Sequence, residues 1–180
     1  MSDTTLAPNH RSYNLRWGHA LLGALWGGLA LAPAARAAPL TPVTPSCLVT
    51  AAAEARVPLL AVLGILTVER GQVGQASPDQ NGTYDYGPMQ INSVWLPILA
   101  SRFHLSRWAI QDSGCLNVAV GAWILSHDWR TLGAGASIWQ AIAQYHSTTA
   151  ALADPYAWRV YNNLRRGVRV QHLIRVINGE

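Results

Sequence analysis

The sequence predicts an α+β domain, predominantly α-helical, with one small β-hairpin, and three observations carry that reading. Apolar residues recur at helical spacing in successive stretches between residues 46 and 177, with Ser, Pro or Gly placed to start and stop them. Only residues 71–87 turn to Gly, Ser, Asn, Asp and Pro, and they enclose a single strand-like run at residues 83–86. Half of the 180 residues are apolar and 12% are charged, which suffices for a core and excludes a disordered chain. The length fits one domain with a short segment in front of it.

Residues 1–37 read as a signal peptide. Arg11 and Arg16 precede an apolar run, residues 20–35, that ends in Ala35-Arg36-Ala37, a small-x-small pattern cleavable before about Ala38. The run is short for a spanning helix, which needs about 20 apolar residues. An uncleaved anchor or a start codon placed too early is the alternative, and an uncleaved segment is the one way the sequence offers of inserting into a membrane. Cleavage predicts an exported, periplasmic protein. Residues 38–45 carry Pro39, Pro42 and Pro45 and read as a Pro-rich, extended linker.

Ser46 is then placed to cap a helix over residues 47–56, with Leu48, Ala51, Ala52 and Ala55 on one side. Pro58 opens a second helix through Leu59, Val62, Ile65, Leu66 and Glu69, and Gly71 supplies its stop. Asn81-Gly82 is a hairpin-turn pair ahead of the strand. Further helices are predicted at residues 93–102, 115–130, 138–145 and 154–177. Arg159, Arg165, Arg166, Arg169 and Arg175 face only Glu180 in the last of these, so residues 166–180 read as a basic C-terminal tail, chiefly a solvated helix face.

Composition narrows the function. A net charge of +4 from scattered arginines is too small to announce nucleic-acid binding, and it favours an anionic polymer or membrane surface over a cationic partner. Eight Trp against one Phe suit either a core or a groove that stacks on sugar rings. The six His are dispersed, so no metal is predicted, and no motif asks for a cofactor. Cys47 and Cys115 are the only cysteines, and export makes one disulfide the economical expectation, worth roughly 4 kcal/mol in the chain-entropy picture. Two buried free thiols are the alternative.

Glu69 is the residue with chemistry in its position. It follows Ile65 and Leu66 by four and three residues, so it shares the apolar stripe of its helix. It also sits in the last turn, where the helix dipole disfavours negative charge, and both effects keep a carboxyl protonated. A carboxyl still protonated near neutral pH is a general acid. The competing reading is an ordinary Glu at a frayed helix end beside Arg70.

Residues 81–92, Asn-Gly-Thr-Tyr-Asp-Tyr-Gly-Pro-Met-Gln-Ile-Asn, resemble the Gly-x-Met-Gln-Ile-Asn element of the lysozyme superfamily, in particular of the soluble lytic transglycosylase catalytic domain. Residues 85–92 also look like the corresponding stretch of animal c-type lysozymes. Residues 111–125, with Cys115, Asn117, Gly121 and Ala122, are similar to a helix of the specialised transglycosylases of conjugation, type IV secretion and pilus assembly. Tyr145-His146-Ser147 and Tyr156 with Val160 match their remaining elements. The matches run in the family's order over residues 46–165, which the resemblance makes the catalytic domain.

The resemblance implies a lysozyme-like fold with the hairpin beside a cleft, and peptidoglycan glycan strands as partner. Components of a transfer, secretion or pilus machine are a further possible partner. It implies Glu69 as the catalytic acid, Met89, Gln90, Asn92, Tyr145 and Tyr156 as substrate contacts, and Asp85 as a possible auxiliary carboxylate. Lytic transglycosylases cleave the β-1,4 bond after N-acetylmuramic acid and close a 1,6-anhydro ring without water. The alternatives are a hydrolytic muramidase using Glu69 with Asp85, and a non-catalytic glycan-binding scaffold. Three positions depart from the family pattern: Arg70 where Ser is common, the Gln- and Gly-rich residues 71–79, and Pro88 before Met89.

Overall fold

A computed structural model describes residues 39–180; the expected signal peptide at residues 1–37 lies outside the described residues. The fold is α+β and mostly helical, as the sequence predicts. Its helices are α1 (Pro45–Ala55), α2 (Leu59–Glu69), α3 (Leu96–Phe103), α4 (Arg107–Asp112), α5 (Gly114–Thr131), α6 (Ile138–His146), α7 (Ala150–Arg165) and α8 (Val170–Asn178). Between α2 and α3 lie β1 (Ala76–Pro78), β2 (Tyr84–Tyr86) and β3 (Ile91–Asn92), which form an antiparallel sheet in that order. The expected hairpin therefore has a third strand, and Asp85 on the middle strand faces Ser77 on one side and Asn92 on the other.

The core forms around α2 and α5. Ala61 through Thr67 are all buried, so α2 has no polar side along that stretch and runs through the interior rather than lying on it. The single apolar stripe read from the sequence is thus a whole buried helix that ends in Glu69. In α5, Val118, Ala122 and Leu125 are fully buried, together with the polar Asn117. Helix α7 approaches α2 closely at Gly64, where an added Cβ would come within 2.7 Å of Val160 Cγ1.

Several boundaries differ from expectation for identifiable reasons. The first helix is capped by Thr44, not Ser46: the Thr44 hydroxyl accepts from the Cys47 N–H at 3.2 Å, and Pro45 takes the first helical position, where its missing N–H costs nothing. Arg70, not Gly71, ends α2 in the left-handed conformation at φ 49°. Gly71 is needed for a different purpose, because a Cβ there would run into the Gly87 carbonyl and the Gln90 side-chain amide.

The segment read as a linker is exposed at residues 39–42 but tied to the domain at two points. Val43 is buried, Thr41 bridges to Ser113, and the Gly114 N–H donates to the Thr41 carbonyl at 2.7 Å. The long helix expected over 154–177 is two helices broken at Gly167, φ 83°. The second of them is no free tail, since Leu173, Ile174 and Ile177 of α8 are buried in the core. Cys47 and Cys115 form the expected disulfide, Cα–Cα 5.5 Å, which ties the first turn of α1 to the first turn of α5.

Candidate active site

Glu69 reaches the edge of the core as the last residue of α2. Its carboxyl is met from α7 by Tyr156, which is fully buried and donates its hydroxyl to Glu69 Oε1 at 2.6 Å. Burial pushes the Glu69 pKa up to about 7, and the charge of Asp85 pushes it the same way. The Tyr156 hydrogen bond and the Arg159 guanidinium oppose them without prevailing. The C-terminal end of the α2 dipole acts with burial. Close to neutral pH a large fraction of the molecules therefore carry the proton.

Tyr156 is itself held. His146 stacks on its ring at 4.6 Å, nearly parallel, and Arg159 lies 5.5 Å from the ring centre. Burial and the Glu69 charge keep the phenol far above its ordinary pKa, so it stays a neutral hydroxyl whose proton is directed at Glu69. The His146 pKa is lowered, first by its own burial and then by Arg159.

The sheet supplies the second carboxylate. Asp85 Oδ1 accepts from Asn92 Nδ2 at 2.9 Å, and the same amide lies 2.9 Å from Thr83 Oγ1 and 3.1 Å from Asp79 Oδ2. Burial raises the Asp85 pKa to about 6, the Asn92 bond lowers it, and the charge of Asp79 adds to the rise. The sheet is brought to Glu69 by the close contact of Gly71 with the turn at Gly87 and Gln90.

Met89 is a correction. Expected on the cleft floor, it has no exposed surface, and its side chain packs on Gly121 of α5, where a Cβ would lie 2.6 Å from Met89 Cε. Its backbone is what matters: the N–H donates to Asn117 Oδ1 at 2.7 Å and the carbonyl accepts from the Tyr145 hydroxyl at 2.8 Å. Tyr145 thus spends its hydroxyl on the chain of Met89, not on the acid. Its pKa rises well above the ordinary value, first by burial and then through the charges of Glu69, Asp128 and Asp85.

Gln90 is partly exposed and left-handed at φ 48°, with its amide donating to the Gly87 carbonyl at 2.9 Å. Asn92 is also partly exposed, and its oxygen caps the short 3₁₀ turn Ser93–Trp95. Of the expected contacts these two remain at the surface beside Asp85, while Tyr156 works from inside through Glu69.

Three further residues belong to the site. Asn117 is fully buried and joins Met89, the Tyr86 carbonyl (2.8 Å) and the Ile110 carbonyl (3.1 Å), so one side chain holds the turn against α5. The signal was a polar residue on the buried stripe of an apolar helix, which demands local partners. Asp128 is buried in α5, and burial raises its pKa to about 6 against a hydrogen bond from Gln144. Arg159, counted in the sequence only as one of the arginines of the last helix, is the cation whose charge acts on Glu69.

Chemically, the arrangement offers a proton on Glu69 near neutral pH, a phenol that steadies the resulting carboxylate, and a second carboxylate at the sheet that is largely ionised at pH 7. No protein-family model matches the chain, and no curated protein matches it.

Proposed function

We propose that the protein is an exported peptidoglycan lytic transglycosylase that cleaves the β-1,4 bond after N-acetylmuramic acid, near a transfer or secretion apparatus. The observation that carries the reading is the Glu69 carboxyl, held protonated to about pH 7 by burial and bonded by Tyr156 beside the sheet that presents Gln90, Asn92 and Asp85. Glu69 gives its proton to the glycosidic oxygen as the C1–O bond breaks. The substrate's own N-acetyl carbonyl stabilises the cationic C1. The Glu69 carboxylate then takes the proton of the sugar's 6-hydroxyl, O6 bonds to C1, and Glu69 ends as it began. No water is consumed.

Mass spectrometry of the products released from purified sacculi tests this. Anhydro ends, one water lighter than hydrolysed ends, are expected from the wild type and none from Glu69→Gln. Hydrated ends alone, or no products at all, reject the proposal.

The raised, hydrogen-bonded Asp85 favours one rival, a hydrolase in which Asp85 stabilises the cation or adds to it. Asp85→Asn separates the two readings: hydrolysis would be lost, whereas ring closure would persist.

A further inference from the structure

Beside Glu69, the end of α2 and the C-terminal half of α7 enclose a groove of about 370 Å³ whose cations are Arg70, Arg159 and Arg166. It continues into a second recess of about 390 Å³ that shares Arg70 and Arg166 and adds Arg169 and His172. No carboxylate lines either space.

Two of the three guanidinium groups are held in place. Arg70 caps α2, and its Nε donates to the Thr67 carbonyl at 2.8 Å, which leaves the fork of terminal N–H groups for another acceptor. Arg159 rests over the ring of Tyr156. Between them, Asn163 is fixed by its amide to the Thr67 carbonyl and hydroxyl, both at 3.2 Å. A guanidinium fork matches a carboxylate in a bidentate way, and side chains already fixed lose little freedom on binding. Three guanidinium groups, two of them fixed, around adjoining spaces fit a ligand with several carboxylates better than a single ion.

The reading of the active site supplies such a ligand next to the scissile bond, because each muramic acid residue carries a short peptide with free carboxylates. We propose that the Arg70–Arg159–Arg166 groove binds the carboxylates of this peptide, so that the protein prefers peptide-bearing strands to naked glycan. The inference rests on the glycan-cleaving reading. It also gives Arg70, which departs from the family pattern, a role in selecting substrate.

Two measurements test it. In the first, kcat/KM is compared on strands with their peptides intact and on the same strands stripped by an amidase. The wild type is expected to favour intact strands about tenfold, the size of one charge-assisted hydrogen bond. Arg166→Ala, whose residue lies outside the acid and its partners, should lose that preference and keep the naked-strand rate. Equal rates on the two substrates, or a preference that survives in both Arg166→Ala and Arg70→Ala, overturn the proposal.

The second measures calorimetric binding of the free peptide, with inorganic phosphate as a competitor. It decides the groove even where no strand is cut, so failure of the groove and failure of the glycan-cleaving reading are distinguishable. Peptide binding that weakens tenfold in Arg166→Ala supports the groove. Absence of binding, or half-saturation by phosphate at a lower concentration than by peptide, overturns it.

Discussion

At Glu69 four influences act on one proton, and under the proposed function their balance would set the working pH. Burial and Asp85 hold the proton on, while Tyr156 and Arg159 draw it off. Tyr156→Phe removes the strongest opposing influence, so the Glu69 pKa should climb further and the alkaline limb of the activity profile should move to higher pH, with a lower maximum because the carboxylate loses its partner. A pH–rate series on both proteins checks this; an alkaline limb that stays put or moves to lower pH would mean that another group sets it. Position 69 was legible in the sequence because helical period placed a carboxyl among apolar residues. Its partnership with Tyr156 was not, since 87 positions separate the two and no local pattern links them. Met89 was misread for a related reason: it sits in a turn, where no periodicity tells inside from outside.

The elements around the site depend on one another through few contacts. Asn117 satisfies a buried N–H and two buried carbonyls from three different segments, so Asn117→Ala strands all of them. The expected loss is about 3 kcal/mol or more, read as a lower midpoint in urea denaturation, with activity falling as the turn at Gly87 loosens. An unchanged midpoint would show that water replaces the amide. The same scale explains which elements the sequence revealed. Helices α1, α2, α5 and α6 announced themselves through long apolar periods. Strands β1 and β3 did not, since β1 is Ala-Ser-Pro with no β-branched or aromatic residue and β3 is two residues long. The last helix was expected to start at residue 154, yet α7 begins at Ala150 and keeps Pro155 inside it, because packing against α2 and α6 outweighs one missing N–H. The left-handed Gly167 breaks what periodicity alone reads as one continuous helix.

For the molecule as a whole, three carboxylates titrate on the same side of normal. Glu69 moves from 4.5 to about 7, and Asp85 and Asp128 each move from 3.8 to about 6. The folded state binds these protons more tightly than the unfolded chain, so the stability they contribute is complete below about pH 4 and is lost as pH rises through 6 and 7. His146, with its lowered pKa, works in the opposite sense as pH falls below its ordinary value. Thermal unfolding should therefore occur at a lower temperature at pH 8 than at pH 5.5, and Glu69→Gln should flatten the slope between pH 5 and 8. The Glu69 share of that slope is at most on the order of 3 kcal/mol. Reduction acts at the same scale: a closed loop spanning 68 positions opens, and the cost should be roughly 4 kcal/mol, seen as a drop in melting temperature with reductant.

Asn178 forms a two-way clasp with Val43, accepting from its N–H at 2.8 Å and donating to its carbonyl at 3.0 Å. The end of α8 is thereby tied to the segment just ahead of α1, and the backbone of residues 43–178 is close to being a ring. A ring has no privileged opening. Joining residue 180 to residue 39 through a short Gly-Ser bridge, in a version that starts at the exposed bend of residues 133–135 and leaves out residues 1–38, should give a rearranged protein that still folds and still protonates Glu69. Its circular dichroism and melting curve would show whether the order in which the ribosome lays down these helices matters at all.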